Sequence, residues 1–181
     1  MEIKKKRGRR DYLKDFQQTV SGEYIYVGAY YGYVDAGRTR KETLIRFWIF
    51  GAAAFLCAAG PGFISGGGMM NCAYVLIPFG AELICACSLV WALVRLSTNP
   101  EPLREYVYAA TVDALPERSM FTLCFALATA VGELVFLVLH PAERSFGGWM
   151  IAVLPAAAAG LSLALRNEVR AARWEQRMTV D

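Results

Sequence analysis

The chain has 181 residues, a formal charge of +3 and a hydrophobic content of 56%. Globular proteins contain roughly 45 to 50% apolar residues, so this composition argues against a soluble domain and favours an integral membrane protein. Six basic residues lie within the first ten positions. Such a cluster is compatible with nucleic-acid binding, but the long apolar blocks that follow favour attraction to the headgroups of a lipid bilayer, with no nucleic-acid partner.

Four apolar blocks follow, each close to the roughly 20 residues that a helix needs to cross the hydrocarbon core. They are residues 47–64, 72–94, 120–139 and 146–165. The second contains Glu82 as its only charged residue, the third contains only Glu133, and the others contain none. Each Leu, Ile, Val or Phe favours insertion by roughly 0.3 to 0.6 kcal/mol, so ten or so of them outweigh one glutamate. We therefore predict an all-α membrane protein, a four-transmembrane-helix bundle of two antiparallel hairpins.

The distribution of Lys and Arg predicts how the chain lies in the membrane. Eleven of the 19 basic residues precede the first block, three lie between the second and third, four follow the fourth, and only Arg144 falls on the opposite side. Short loops rich in Lys and Arg stay in the cytoplasm. We predict a multi-pass protein of the cell membrane with both termini cytoplasmic. Residues 1–43 would form a basic, tyrosine-rich segment, residues 44–166 the transmembrane domain and residues 167–181 a basic helical tail.

The longest segment outside the blocks is rich in tyrosine. Residues 21–36 read SGEYIYVGAYYGYVDA, and the spacing of Tyr24 and Tyr26 has the two-residue period of a strand. We predict a short N-terminal β-hairpin at the membrane interface. The alternative is an unstructured segment that only contacts headgroups. In either case, aromatic residues with little charge suit the docking of a partner.

Two further segments carry helical patterns. Residues 97–119 contain apolar residues at helical spacing after Asn99-Pro100, which predicts an amphipathic cytoplasmic helix between spans two and three. Beyond the fourth span, arginines recur at steps of three and four, so a continuing helix would place them on one side. We predict that they contact lipid headgroups or a partner, the alternative being a solvated basic end. The arginines are Arg166, Arg170, Arg173 and Arg177.

Ionisable residues are costly within a membrane and therefore indicate a candidate functional site. Counted from the ends of their blocks, Glu82 and Glu133 differ in depth by only about 5 Å, so we expect them to face one another. Other residues on the same helix faces, most of them polar, extend this pair into a polar seam. They are Tyr74, Pro78 and Cys85 on the second span, and Thr122, Thr129 and His140 on the third.

Two interpretations of the seam are open. In one, the carboxyls bind a proton, a cation or a basic ligand. In the other, which we favour, protonated glutamates form hydrogen bonds between helices and fix their packing. No metal site is predicted, because Glu133 and His140 are roughly 10 Å apart, and a histidine at the C-terminal end of a helix is accounted for by the helix dipole.

No enzyme class fits the sequence. The five cysteines contain no CxxC pair, most of them lie in mid-span, and an odd number argues against a disulfide framework. Ser65 lies in a glycine-rich turn rather than in a hydrolase motif, and there is no phosphate-binding loop. We predict no catalytic residue and no cofactor.

Small residues recur every four positions along the fourth span, which lets helix backbones approach closely. They are Ala152, Ala156, Gly160 and Ala164. This groove would pack against the first span, the interpretation that we favour, or against another protomer in a homo-oligomer.

Four sequence stretches resemble uncharacterised bacterial membrane proteins with four spans. They are GEYIYVGAYY, YVLIP in span two, LREYVYAATVDAL between the hairpins and GELVFLV in span three. The resemblance implies a bacterial inner membrane, with no known activity, cofactor or catalytic residue. From the residues themselves we predict a non-catalytic accessory or interaction subunit of a membrane complex, such as a transport accessory. The alternative is a small oligomeric proton- or cation-coupled transporter that uses the intramembrane glutamates.

Overall fold

The computed structural model describes residues 16–18, 22–35 and 37–177, and the basic cluster of the first ten positions lies outside these ranges. The protein is mostly helical. Its α-helices are α1 (Arg40–Ala59), α2 (Gly68–Asn71), α3 (Ala73–Thr98), α4 (Glu105–Ala110), α5 (Leu115–Leu139) and α6 (Phe146–Ala171). Its strands are β1 (Phe16–Gln18), β2 (Tyr24–Tyr26), β3 (Tyr30–Tyr33), β4 (Leu103–Arg104) and β5 (Trp174–Arg177). Short 3-10 helices cover Gly60–Phe63 and Pro141–Glu143.

Four helical stretches are long and apolar enough to cross a membrane, which confirms the predicted number of apolar helices. They are Arg40–Phe63, Ala73–Thr98, Glu105–Leu139 and Phe146–Ala171. All four extend beyond the apolar blocks, because helix ends are set by capping groups rather than by hydropathy. At the start of α1, for example, the Thr39 hydroxyl accepts from the Glu42 N–H and the Glu42 carboxylate accepts from the Thr39 N–H, which forms a capping box.

Each of the four long helices packs against two others. Helix α5 contacts α3 and α6, and α1 contacts the same two helices. Midway along, the buried contacts are made by alanines of all four helices: Ala58, Ala86, Ala126, Ala158 and Ala159. Because alanine side chains are small, the helix backbones approach one another closely at this level. Larger side chains, including Phe47, Leu93 and Leu165, fill the core towards one end.

That end of the helices, which we call the sheet end, carries a three-stranded antiparallel sheet in the order β4-β3-β5. Tyr31 pairs with Leu103 of β4 and with Gln176 of β5. The sheet therefore joins the segment before α1, the link between α3 and α5, and the segment after α6. The opposite end, which we call the loop end, carries residues 60–72 and 140–145.

The predicted hairpin within residues 21–36 is wrong in its pairing. Strand β2 pairs with β1, with Tyr24 opposite Gln18 and Tyr26 opposite Phe16, whereas β3 pairs only with β4 and β5 in the described residues. The two-residue period located the strands. The period carries no information on which distant segment completes each ladder, so the partners were missed.

The two predicted cytoplasmic helices are shorter than expected. Pro100 and Pro102 lack an N–H donor and disfavour helix, so the link forms strand β4 at Leu103 and only the short α4. Helix α6 ends at Ala171 because Ala172 has an extended backbone. The predicted tail, residues 167–181, is therefore helical only as far as Ala171 and joins the sheet as β5 over Trp174–Arg177.

Candidate functional site

One face of α5 carries deeply buried polar residues. Ser119, Thr122, Thr129 and Glu133 are all fully buried there. The three hydroxyls donate to carbonyls four residues earlier in the same helix, at 2.8, 3.0 and 2.9 Å respectively. Such a bond satisfies a hydroxyl without a partner from another helix. The polar face predicted for the third span is therefore present, and each of its hydroxyls donates within its own helix.

The Glu82 carboxyl of α3 is fully buried, and within the described part of the chain neither of its oxygens has a hydrogen-bond partner. Thr129 lies within reach, but its hydroxyl donates to the Phe125 carbonyl. Cys57 of α1 lies close enough to be affected by a charge on this carboxyl. Burying an unpaired ionised carboxylate costs several kcal/mol. The site therefore accommodates the neutral acid at lower cost than the anion.

The Glu133 carboxyl is held by the glycine-rich loop that precedes α3. The backbone N–H of Gly68 donates to both carboxyl oxygens, at 3.1 and 2.9 Å. Gly67 has a φ of 73°, and a Cβ at either glycine would lie within 3 Å of this carboxyl. Only glycine allows the backbone to approach so closely in this conformation. The glycines that follow Ser65 thus form a binding cradle for an internal side chain.

The two glutamates do not lie at the similar depth that we expected. Helices α3 and α5 run antiparallel, and Gly132 lies against Tyr74 in the first turn of α3. Glu82 is about two turns further along α3, which separates it from Glu133 by roughly 12 Å along the axis. Hydropathy gives the length of each span but not how far one helix slides past another, so the expected depth was missed. The facing of the two carboxyls stays a prediction.

The remaining seam residues lie at its margin. Tyr74 is exposed on the helix surface, and Cys85 is half-buried with a free thiol. His140 is exposed just beyond α5, where its ring stacks on Phe136. No group of three or more His, Cys, Asp or Glu side chains that would suit a metal ion occurs in residues 16–18, 22–35 and 37–177.

The four arginines predicted to form one helical stripe separate into two pairs. Arg166 and Arg170 lie on α6 and line a groove between α5 and α6 at the sheet end. Arg173 lies beyond the helix, and Arg177 lies in β5 opposite Tyr30. The single stripe is therefore wrong, because α6 ends at Ala171. Contact with lipid headgroups or a partner stays a prediction for each pair.

The small residues of α6 also face differently from the arrangement that we favoured. Ala152 is buried, but Ala156 and Gly160 are exposed, and a Cβ at Gly160 would meet no atom within 4 Å. Ala164 is half-buried beside Phe50. The buried face instead contains Pro155, Ala158, Ala159, Ser162 and Leu165. Ala156 and Gly160 therefore do not pack inwards as predicted, because the helix is rotated so that another set of mainly small residues faces the core.

Aromatic rings connect the sheet to the helices. Tyr31 of β3 stacks on Tyr108 of α4, with ring centroids 4.1 Å apart, and Tyr33 meets Trp174 of β5 edge-on at 5.3 Å. The Tyr26 hydroxyl accepts from the N–H of Glu105 at the start of α4. Most of the tyrosines that we predicted to dock a partner therefore have internal contacts.

Tyr33 also links the sheet to the first long helix. Its hydroxyl lies 2.6 Å from the Thr43 hydroxyl and 3.1 Å from the Asp35 carboxylate. Partial burial raises the pKa of Tyr33. The hydrogen bond from the Gly37 N–H lowers the pKa of Asp35, and the Tyr33 hydroxyl lowers it further. A short polar network thus joins β3 to α1.

Sequence reasoning missed the Glu133 cradle and the groove between α5 and α6. The run of three glycines before α3 was the available signal for the cradle, since consecutive glycines often mark a close backbone approach. No comparable pattern marks the groove, because its two sides come from helices that meet only in the folded chain. No protein-family model, curated protein or solved structure matches the chain.

Proposed function

We propose that the four long helices cross the cell membrane as a bundle with both termini in the cytoplasm, and that the protein is a non-catalytic accessory or interaction subunit of a membrane complex. The lopsided distribution of Lys and Arg supports this orientation. It places the sheet end in the cytoplasm. The resemblance to uncharacterised bacterial four-span proteins supports an inner-membrane location.

The observation that carries the interaction role is an apolar surface at the sheet end, made by strand β2 and the residue after it. Tyr24 is 70% exposed, Ile25 52% and Val27 43%. Lipid covers the apolar surfaces of the long helices, but these residues lie outside those helices. Clustered exposed apolar residues mark interaction sites in soluble proteins. The partner that fits is a membrane protein with an apolar cytoplasmic surface.

Gentle detergent purification of the full chain from its native membrane tests this role. We expect a partner to co-purify with the wild type and to be lost from Ile25→Glu, because the new charge would be desolvated in the contact. Gln176→Glu places the same charge on exposed strand β5 and should retain the partner. Recovery of the wild-type chain only with itself, under conditions that preserve membrane complexes, contradicts the proposal.

The buried, unpartnered carboxyl of Glu82 favours a second candidate, a small oligomeric proton- or cation-coupled transporter. A carboxyl that exchanges protons through a water-filled path reacts with carbodiimide in a pH-dependent way. Under this candidate Glu82 would be labelled, Glu82→Gln would not, and the label would disappear at alkaline pH. Complete inertness of Glu82 across the pH range argues against transport and leaves the accessory role.

A further inference from the structure

We propose that the groove between α5 and α6 at the sheet end binds the phosphate group of an anionic phospholipid. The groove has a volume of about 380 Å³. Its lining consists of Pro116, Glu117, Met120, Phe121, Arg166 and Arg170. The volume lies within the roughly 300 to 1,000 Å³ of small-ligand sites. The inference goes beyond the interaction role and rests on the proposed insertion of the helices in a membrane.

Within the described residues, the two arginines of the groove lack the carboxylate contact that two other arginines of this end have. Arg38 and Arg46 approach Glu168 at 3.0 and 3.7 Å. In the part of the chain that the structure describes, neither Arg166 nor Arg170 forms an ion pair, and the buried Nε of Arg166 has no hydrogen-bond partner. A buried N–H of a guanidinium normally has an acceptor. An external anion would supply it.

The shape of the guanidinium selects the kind of anion. Its planar set of N–H donors binds two oxygens of one phosphate at once, with charge-assisted hydrogen bonds. Arg166 and Arg170 are one helical turn apart on α6, so they are neighbours on its surface. The two guanidinium groups can therefore both donate hydrogen bonds to the oxygens of one phosphodiester.

The position of the groove favours a lipid over a free phosphate ion. Arg166 is the first charged residue after the charge-free run of residues 146–165, and Met120 begins the apolar run of α5. The groove thus spans the boundary between charged and apolar sequence, where headgroups lie. Met120 and Phe121 are 41% and 59% exposed and give an acyl chain an apolar surface beside the arginines. A free phosphate ion would make no use of that surface.

The carboxylate of Glu117 lowers the affinity of the groove for an anionic lipid. It lines the same groove and is exposed, without an ion pair to either arginine in the described residues. Its negative charge opposes an anionic headgroup through space. Removing that charge should therefore tighten the binding of anionic lipid, which gives a variant with an effect of opposite sign.

Native mass spectrometry of the full chain, purified in mild detergent and stripped of lipid, provides the test. The probes are phosphatidylglycerol, phosphatidylcholine with the same acyl chains, and inorganic phosphate. We expect phosphatidylglycerol to bind more tightly than phosphatidylcholine, and millimolar phosphate not to displace it. Arg166→Gln with Arg170→Gln should weaken phosphatidylglycerol binding about 30-fold, since each basic residue near anionic lipid contributes about fivefold.

Arg173→Gln with Arg177→Gln is the matched control, because it removes the same charge at the same end outside the groove. It should change the affinity by less than about threefold, since neither side chain lines the groove and exposed charges are screened by salt over a Debye length of about 8 Å. Equal losses in the two double variants overturn the proposal, as does equal binding of the two lipids. Displacement of lipid by phosphate would instead assign the groove to a free phosphate ion and also overturn it.

A single variant keeps the test independent of folding. If the double variant does not fold, Glu117→Gln still applies, and it should bind phosphatidylglycerol more tightly than the wild type. Unchanged or weaker binding contradicts the site. A chain that inserts in the membrane with the proposed topology yet binds no phosphatidylglycerol overturns the lipid site alone. A chain that fails to insert overturns the membrane proposal itself.

Discussion

The backbone N–H of Gly68 donates to both carboxyl oxygens of Glu133, at 3.1 and 2.9 Å. This contact fixes the glycine-rich loop after α1 to a fully buried side chain of α5. It gives Glu133 a structural role that Glu82, without a partner, does not have. The two buried glutamates should therefore respond differently to substitution.

Replacing Gly68 by alanine should lower stability by about 1 to 3 kcal/mol, because the new methyl group overpacks a filled site. Its Cβ would lie 2.8 Å from Glu133 Oε2 and 2.9 Å from atoms of Phe136 and Val75. Thermal unfolding of the detergent-solubilised protein, followed by circular dichroism, measures the change. Gly80→Ala is the control, since a Cβ there meets nothing within 4 Å, and it should be neutral or stabilising.

Substitution by methionine separates the two glutamates. Glu133→Met leaves the Gly68 N–H without its acceptor and should cost about 1 to 3 kcal/mol. Glu82→Met removes a buried carboxyl that has no partner and should leave stability unchanged or raise it. Equal losses in the two variants, measured by the same unfolding assay, would show that Glu82 has a stabilising contact after all.

The Tyr33 hydroxyl should contribute about 1 kcal/mol through its bonds to Thr43 and Asp35. We expect Tyr33→Phe to lower the unfolding temperature, because the Asp35 carboxylate loses a donor and the Thr43 hydroxyl loses its hydrogen-bond partner at the junction of β3 and α1. Tyr24→Phe removes the same atom from a side chain that is 70% exposed and should have no effect. Equal unfolding temperatures for Tyr33→Phe and the wild type would refute the link.

The network around Tyr33 predicts losses of stability at both extremes of pH. Asp35 has a pKa below its ordinary value of 3.8, so its contribution is present above that pH and is lost as the pH falls through the lowered pKa. Tyr33 has a pKa above 10.0, so its contribution is present below that pH and is lost as the pH rises through the raised pKa. Asp35→Asn should remove the acid-side contribution and reduce the alkaline one, because Asp35 helps to raise the pKa of Tyr33, whereas the effect of burial remains. If the loss of stability at acid pH is the same in Asp35→Asn as in the wild type, its assignment to Asp35 is wrong.

Cysteine labelling tests the orientation of the helices. In a variant without the five native cysteines, Ser65→Cys should react with an impermeant maleimide added outside intact cells, since residue 65 is exposed at the loop end. Ala109→Cys, exposed near the sheet end, should react only after the membrane is opened. The reverse pattern would invert the proposed topology.

The long helices were predictable from sequence because each is encoded within one continuous apolar stretch. The predicted span 72–94, for example, differs from helix α3 mainly at the sheet end, where the helix continues to Thr98, past the apolar block. The sheet was not predictable, since β3 finds its partners in segments that lie on either side of whole helices. Local patterning cannot encode such pairings.

The candidate site, like the fold, was predictable from the sequence only in part. Burial of Glu82 and Glu133 followed from their place in apolar sequence, and burial of Thr122 and Thr129 followed from helical periodicity. Their partners did not follow, because helix rotation and sliding depend on packing in three dimensions. For the same reason Ala156 and Gly160 of the regular small-residue repeat face outwards, and other residues of α6, including Ala158 and Ala159, face the core.

The sheet at the end of the helices has a consequence for the order of assembly in the cell. Strand β3 is synthesised before any of the four long helices, and its neighbour β5 only after the last of them. During translation, the edge of β3 that pairs with β5 therefore stays without this partner until all four long helices have been synthesised. The β3–β5 ladder can close only after α6 has been made, so a chain released before Trp174 would keep an open strand edge that can pair with other chains.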